Sequence, residues 1–109
     1  MKKTISIKED IHFRVLHALE ENPRMTQREL AMKLNVSLGR INFILKALLA
    51  LGQIKLKNFE KNPNKMGYFY LLTPKGILEK SNLTARFLKR KVHEYELLKK
   101  EIESLGGKL

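Results

Sequence analysis

The stretch Thr26-Gln-Arg-Glu-Leu-Ala-Met-Lys-Leu-Asn-Val-Ser-Leu-Gly-Arg-Ile-Asn-Phe-Ile-Leu-Lys-Ala-Leu-Leu49 decides the fold. Thr26 and Glu29 have the spacing of a capping box, in which the hydroxyl accepts from the amide of residue 29 and the carboxylate accepts from the amide of residue 26. A short helix follows, with Leu30, Ala31 and Leu34 on its inner side. Asn35 tolerates the left-handed conformation that ends a helix, Val36 is placed to plug the core, and Ser37 can cap a second helix. That helix, Ser37 to Leu49, carries Ile41, Leu45 and Leu48 inward with Leu38 and Ile44 at the margins, and Gly52 ends it. A short turn between two helices lets the second enter a major groove while the first braces it across the backbone. A plain helical hairpin has the same spacing, so the flanking segments must discriminate.

Downstream, Gln53 to Phe59 and Gly67 to Leu72 read as two strands, the first alternating Ile54 and Leu56 with Lys55 and Lys57. Glu60-Lys-Asn-Pro-Asn-Lys-Met66 between them has the composition of an exposed turn, which predicts a β-hairpin wing. Upstream, Ser6-Ile-Lys-Glu9 is a second capping box and predicts a helix from about Ile7 to Glu20, with Ile7, Ile11, Val15, Ala18 and Leu19 on one face. Thr73-Pro74 opens a last helix that meets no strong breaker until Gly106-Gly107, although Gly76 and Ser81-Asn82 are places for a bend. The expected fold is mainly α with a small β-hairpin. A winged helix-turn-helix in residues 1–73 precedes a long C-terminal helix in residues 74–109.

That last helix is too long to bury in so small a domain. Ser81, Leu88, Tyr95, Ile102 and Leu109 fall at one heptad position, and Ile77, Thr84, Lys91, Leu98 and Leu105 at the other. An apolar stripe extending past the globular part calls for a partner, and a second copy supplies one with two-fold symmetry. The expected dimerisation residues are Leu88, Lys91, Tyr95, Leu98, Ile102 and Leu105, with Lys91 weakening the seam or setting its register. The alternative is a single helix folded back on its own domain.

Lysine and arginine outnumber aspartate and glutamate 22 to 11, a net charge of +11, which points to a polyanionic partner. Nine of the bases and only two of the acids lie between Asn22 and Gly67, so the excess concentrates on the helix-turn-helix and wing. On the second helix Ser37, Leu38, Gly39, Arg40, Asn42, Phe43 and Lys46 are expected to face outward. Arg40 can fork onto guanine O6 and N7, and Asn42 onto adenine N6 and N7. Gly39 allows close backbone approach. Phe43 is expected to pack beneath the wing, the alternative being contact with a thymine methyl. Thr26, Gln27, Arg28 and Ser37 sit at helix N-termini, where they can hold phosphate, while Lys57, Lys61 and Lys65 bring the wing to the backbone or minor groove.

The chain has no cysteine, which excludes disulfides and thiolate metal sites, and no apolar run approaches the roughly 20 residues of a membrane span. Charged Lys8, Glu9 and Asp10 stand where a signal peptide would be apolar, so a cytoplasmic location is expected. His12, His17 and His93 lack metal-ligand spacing, and the first two are expected as partly exposed helix residues. No Gly-rich phosphate loop occurs and the acids are scattered, so neither an enzyme nor a cofactor is expected. The rival to duplex DNA binding is a winged helix used for protein interaction or RNA. The polar and basic face of Ser37 to Lys46 favours DNA, and Leu38 and Phe43 favour the rival.

The residues from Thr26 to Ser37, with Leu45-Lys-Ala-Leu48, Gly52 and Tyr70-Leu-Leu-Thr-Pro-Lys-Gly76, resemble the winged-helix regulators of the MarR superfamily. Val36-Ser-Leu-Gly-Arg-Ile-Asn42, Lys57-Asn-Phe59 and Leu83-Thr-Ala-Arg-Phe-Leu-Lys-Arg-Lys91 resemble more narrowly the small MarR-type regulators associated with exopolysaccharide gene clusters. The resemblance implies transcriptional regulation, with polysaccharide biosynthesis genes as the target. Larger members dimerise through both chain ends and often hold a small effector between their two parts. The segment before the first helix is here too short for that arrangement. Dimerisation is therefore expected from the C-terminal helix alone, without support for an effector pocket.

Overall fold

The computed structural model describes residues 7–58 and 68–107. In chain order the elements are α1 (Glu9–Glu21), α2 (Gln27–Leu34), α3 (Leu38–Ala50), β1 (Ile54–Asn58), β2 (Tyr68–Leu72) and α4 (Pro74–Ser104). The strands pair antiparallel, from Ile54 opposite Leu72 to Asn58 opposite Tyr68. The mainly helical winged architecture expected from the sequence is the architecture observed.

Local chemistry sets most of the boundaries. The capping box of α2 is complete: Glu29 N donates to Thr26 Oγ1 at 3.1 Å and Thr26 N donates to Glu29 Oε1 at 2.9 Å. Asn35 ends the helix in the left-handed region (φ 56°, ψ 49°), and Val36 N returns to Ala31 O. Ser37 caps α3 by accepting from Arg40 N at 3.1 Å. Gly52 (φ +72°) closes that helix in the same way, with Gln53 N donating to Leu48 O.

The entry to α1 departs from expectation. Ser6 lies outside the described residues, the helix starts at Glu9, and Lys8 occupies the N-cap without a side-chain bond. The Glu9 carboxylate is used elsewhere, accepting from Arg86 Nε at 3.0 Å and Arg90 Nη1 at 2.9 Å on α4.

Ile11, Val15, Leu16, Leu19, Leu30, Leu34, Ile41, Leu45, Leu48, Ile54 and Leu83 belong to one core. Ile44, expected at the margin of α3, is fully inside, and Val36 packs against the cluster as expected. On β1 Ile54 is buried and Leu56 is exposed. Expected strand ends at Phe59 and Gly67 lie outside the described residues, as do Glu60 to Met66 with Lys61 and Lys65.

His12 corrects another expectation. It is buried, 7% exposed, and its Nε2 donates to Gln53 Oε1 at 2.6 Å, so two buried polar groups satisfy each other. His17 is partly exposed, with Nε2 3.5 Å from Glu21 Oε1.

Gly76 is likewise not a bend, since α4 runs unbroken from Pro74 to Ser104. Thr73 caps this helix by accepting from Gly76 N, and its own amide donates to Gln53 O. Gly76 packs so tightly on that carbonyl that an added Cβ would lie 1.9 Å from the oxygen. Gly76→Ala should therefore lower the unfolding free energy by roughly 1–3 kcal/mol, as overpacking against immovable backbone does. Denaturant titration checks this, and an unchanged midpoint would show that the junction yields.

Candidate nucleic-acid interface

The recognition helix has a defined outward ridge. Residues buried on α3 are Ile41, Ile44, Leu45, Ala47 and Leu48, so the opposite side carries Gly39, Phe43, Lys46 and Ala50 at successive spacings of four, three and four. All four are exposed. Arg40 and Leu38 flank the ridge at its N-terminal end and are also exposed. The wing tip beneath which Phe43 is expected to pack, residues 59–67, lies outside the described residues. At 61% exposure the Phe43 ring stands in solvent, because the inner face of α3 is already filled by aliphatic side chains.

Asn42 faces differently from these residues. It is half-buried, and its Nδ2 donates to Gln27 Oε1 at 3.2 Å. Gln27 Nε2 in turn donates to the Tyr70 hydroxyl at 3.1 Å. One chain of hydrogen bonds thus runs from α3 through α2 to β2. Tyr70 is also held through its main chain, where its amide donates to Pro23 O. Arg24, from the same α1–α2 connection, lies 5.2 Å over the Phe69 ring. Tyr70 and Arg24 carry no local sequence signal for these roles, since their partners are remote in the chain.

Thr26, Arg28, Ser37 and Lys57 are exposed, and Gln27 is half-buried. The hydroxyls of Thr26 and Ser37 are occupied as helix caps, which leaves the basic side chains as the available charged groups. From Asn22 to Asn58 the chain contains seven lysines and arginines and a single acid, Glu29. That one carboxylate is committed to the Thr26 amide. Two acids of α1 are paired with α4, Glu9 with Arg86 and Arg90 and Glu20 with Lys80, while Asp10 and Glu21 lie beside Arg14 and His17 of α1 itself.

The expected dimerisation residues occupy the distal part of α4. Leu83 is buried and Phe87 stacks on Phe13 at 5.9 Å, so the first half of the helix is fastened to α1. Beyond Arg90, Val92, Tyr95, Leu97, Leu98 and Leu105 are all exposed large apolar residues, and Ile102 is half-covered. Lys91 lies 5.4 Å over the Phe87 ring and 3.6 Å from Glu94. The apolar line instead passes through Val92, four residues after Leu88 and three before Tyr95. That spacing is visible in the sequence, although the strict heptad falls on Lys91.

Helix, turn, outward helix and hairpin define a winged helix-turn-helix fold with an almost acid-free stretch from α2 to β1. Residues 8–55 match the model of the family described as winged helix-turn-helix DNA-binding. No curated protein matches the chain. The solved structures that resemble it include AdcR, described as a zinc-dependent MarR family transcriptional regulator. The adhesin competence repressor AdcR of Streptococcus pyogenes is 18% identical (TM-score 0.65), over 87% of this chain and 66% of its own. ZitR of Lactococcus lactis is 22% identical (TM-score 0.68), over 89% and 74%. FabT of Streptococcus pneumoniae, solved in complex with DNA, is 29% identical (TM-score 0.61), over 95% and 70%. The chain thus spans about two thirds to three quarters of their lengths. Among the described residues no helix is long and apolar enough to cross a membrane.

Gly39 has open space where a Cβ would stand, so the protomer itself does not require glycine there. Gly39→Ala should raise stability by roughly 0.5–1 kcal/mol through helix propensity and at the same time weaken duplex binding. Melting and fluorescence anisotropy on the same variant check both halves, and unchanged binding would remove Gly39 from the interface.

Proposed function

We propose that this chain is a double-stranded-DNA-binding transcriptional regulator that acts as a homodimer on an inverted-repeat operator. The observation that carries the reading is the basic, almost acid-free face of α2, α3 and β1 around an exposed recognition helix. Residues 1–73 form the DNA-binding unit and residues 74–109 the dimerisation helix. In this reading α3 enters the major groove, Arg40 and Phe43 face base edges, and Lys46 faces phosphate. Thr26, Gln27, Arg28 and Ser37 sit at the backbone, while Lys57, Lys61 and Lys65 carry the wing to the flanking groove. Asn42, tied to Gln27, acts chiefly by holding α3 at its angle to β2.

A 31-residue helix is about 46 Å long, and its distal turns extend past the core. Burying Leu88, Val92, Tyr95, Leu98, Ile102 and Leu105 against a second copy covers that stripe and places two recognition helices in fixed relation. Lys91 then borders the seam rather than filling it. DNA as partner places the working protein in the cytoplasm, and the sequence resemblance directs it to exopolysaccharide genes. Enrichment of promoter fragments from such clusters after crosslinking in cells tests that assignment.

Selection of bound duplexes from a random pool should yield an inverted repeat whose half-sites lie about one helical turn apart, or a multiple of it. Absence of any enriched duplex would overturn the reading. Val92→Asp should convert the protein to monomers in sedimentation and weaken binding to the full repeat, whereas a surviving dimer would place the interface elsewhere. Arg40→Ala should cost roughly 1–3 kcal/mol in discrimination between selected and random duplex. An equal loss on both would reassign Arg40 to phosphate.

A further inference from the structure

Phe43 stands at the centre of the outward ridge of α3, one turn after Gly39 and one turn before Lys46. The ring has no use within the described protomer. The aromatic stacks join Phe13 with His17 and with Phe87, and the cations over rings are Arg24 on Phe69 and Arg90 and Lys91 on Phe87. Asn42, the neighbouring residue that can read an adenine edge, is drawn toward α2 by Gln27 and through it by Tyr70. The centre of the ridge therefore offers an apolar ring, with Asn42 beside it turned toward α2.

Resting on the reading of the chain as a DNA-binding regulator, we infer that Phe43 recognises the 5-methyl group of thymine and makes a thymine a fixed feature of each half-site. In the major groove the thymine methyl is the apolar group among base edges otherwise displaying donors and acceptors. A phenyl ring over a purine edge would strip water from N7 and O6 or N6 without replacing its hydrogen bonds, which disfavours those bases. Gly39, with open space above it, lets the helix come close enough for the ring to reach the methyl. Arg40 lies three residues earlier, about 4.5 Å along the helix axis. Base pairs are spaced by about 3.4 Å, so the thymine lies one or two base pairs from a guanine held by Arg40.

The test uses duplexes selected by the full-length protein and resynthesised with deoxyuridine in place of thymidine at one position at a time. Deoxyuridine keeps the pairing edge and removes only the methyl. At one position per half-site the substitution should weaken binding about fourfold, the weight of one buried methyl group. Phe43→Ala should bind thymine and uracil duplexes equally, and Phe43→Leu should retain part of the preference. Phe43 is exposed, so both variants should melt like the parent protein. Selected duplexes that bind well but ignore every uracil substitution would overturn the inference and leave DNA binding intact. So would a uracil effect that persists in Phe43→Ala. Failure to select any duplex would instead overturn the functional reading beneath it.

Discussion

Gln53 is the residue through which the domain is assembled. Its amide closes the end of α3 on Leu48 O, its carbonyl accepts from Thr73 at the start of α4, and its side chain accepts from buried His12 on α1. Gly76 packs directly on the same carbonyl, and the Thr73 hydroxyl reaches Gly52 O beside it. The wing must leave and return at this point, since Ile54 pairs with Leu72 immediately beyond. One short junction thus sets α3, the hairpin and α4 relative to one another.

The electrostatic layout follows from the same packing. Laying α4 along α1 brings Lys80, Arg86 and Arg90 to Glu20 and Glu9, so carboxylates of α1 are neutralised on the side away from α3. These pairs are exposed and individually weak, and their larger effect is on where charge remains. The bases of α2, α3 and β1 are left facing outward with little competition. A polyanion approaching that side meets a field that the rest of the molecule does not cancel.

α4 serves two purposes with different faces and different halves. Leu83 and Phe87 bind it to its own core, and the apolar residues from Leu88 onward have no such cover. A rigid connection between the two halves matters to any symmetric reader of DNA. The spacing of two recognition helices is only as definite as the helix that relates them. The continuity of α4 through Gly76 and Ser81-Asn82 meets that requirement, where propensity alone had suggested a bend.

Much of the architecture was legible in the chain because its signals are local. The Thr26–Glu29 box, Asn35, Ser37, Gly52 and Thr73-Pro74 each act on amides within a few residues, and the structure uses all of them. The contacts of Glu9 with α4 are not local: Arg86 and Arg90 lie 77 and 81 residues away, and no local pattern displays them. The same holds within the candidate site. Arg40 and Lys46 face outward as helical periodicity requires, whereas Asn42 is tied toward α2 and Phe43 is exposed. Gln27 holds Asn42 through a contact spanning 15 residues, and a filled inner face excludes Phe43.

The sequence alone therefore determined the order of elements, their caps and the uneven distribution of charge, since each depends on neighbours in the chain. Tertiary structure alone decided that His12 is buried, that Asn42 is tied inward and that Phe43 is presented. The physical reason is that a side chain at the edge of a helical face can turn either way at similar local cost. Its direction is settled by whichever distant hydrogen-bond partner, ring or filled cavity it meets.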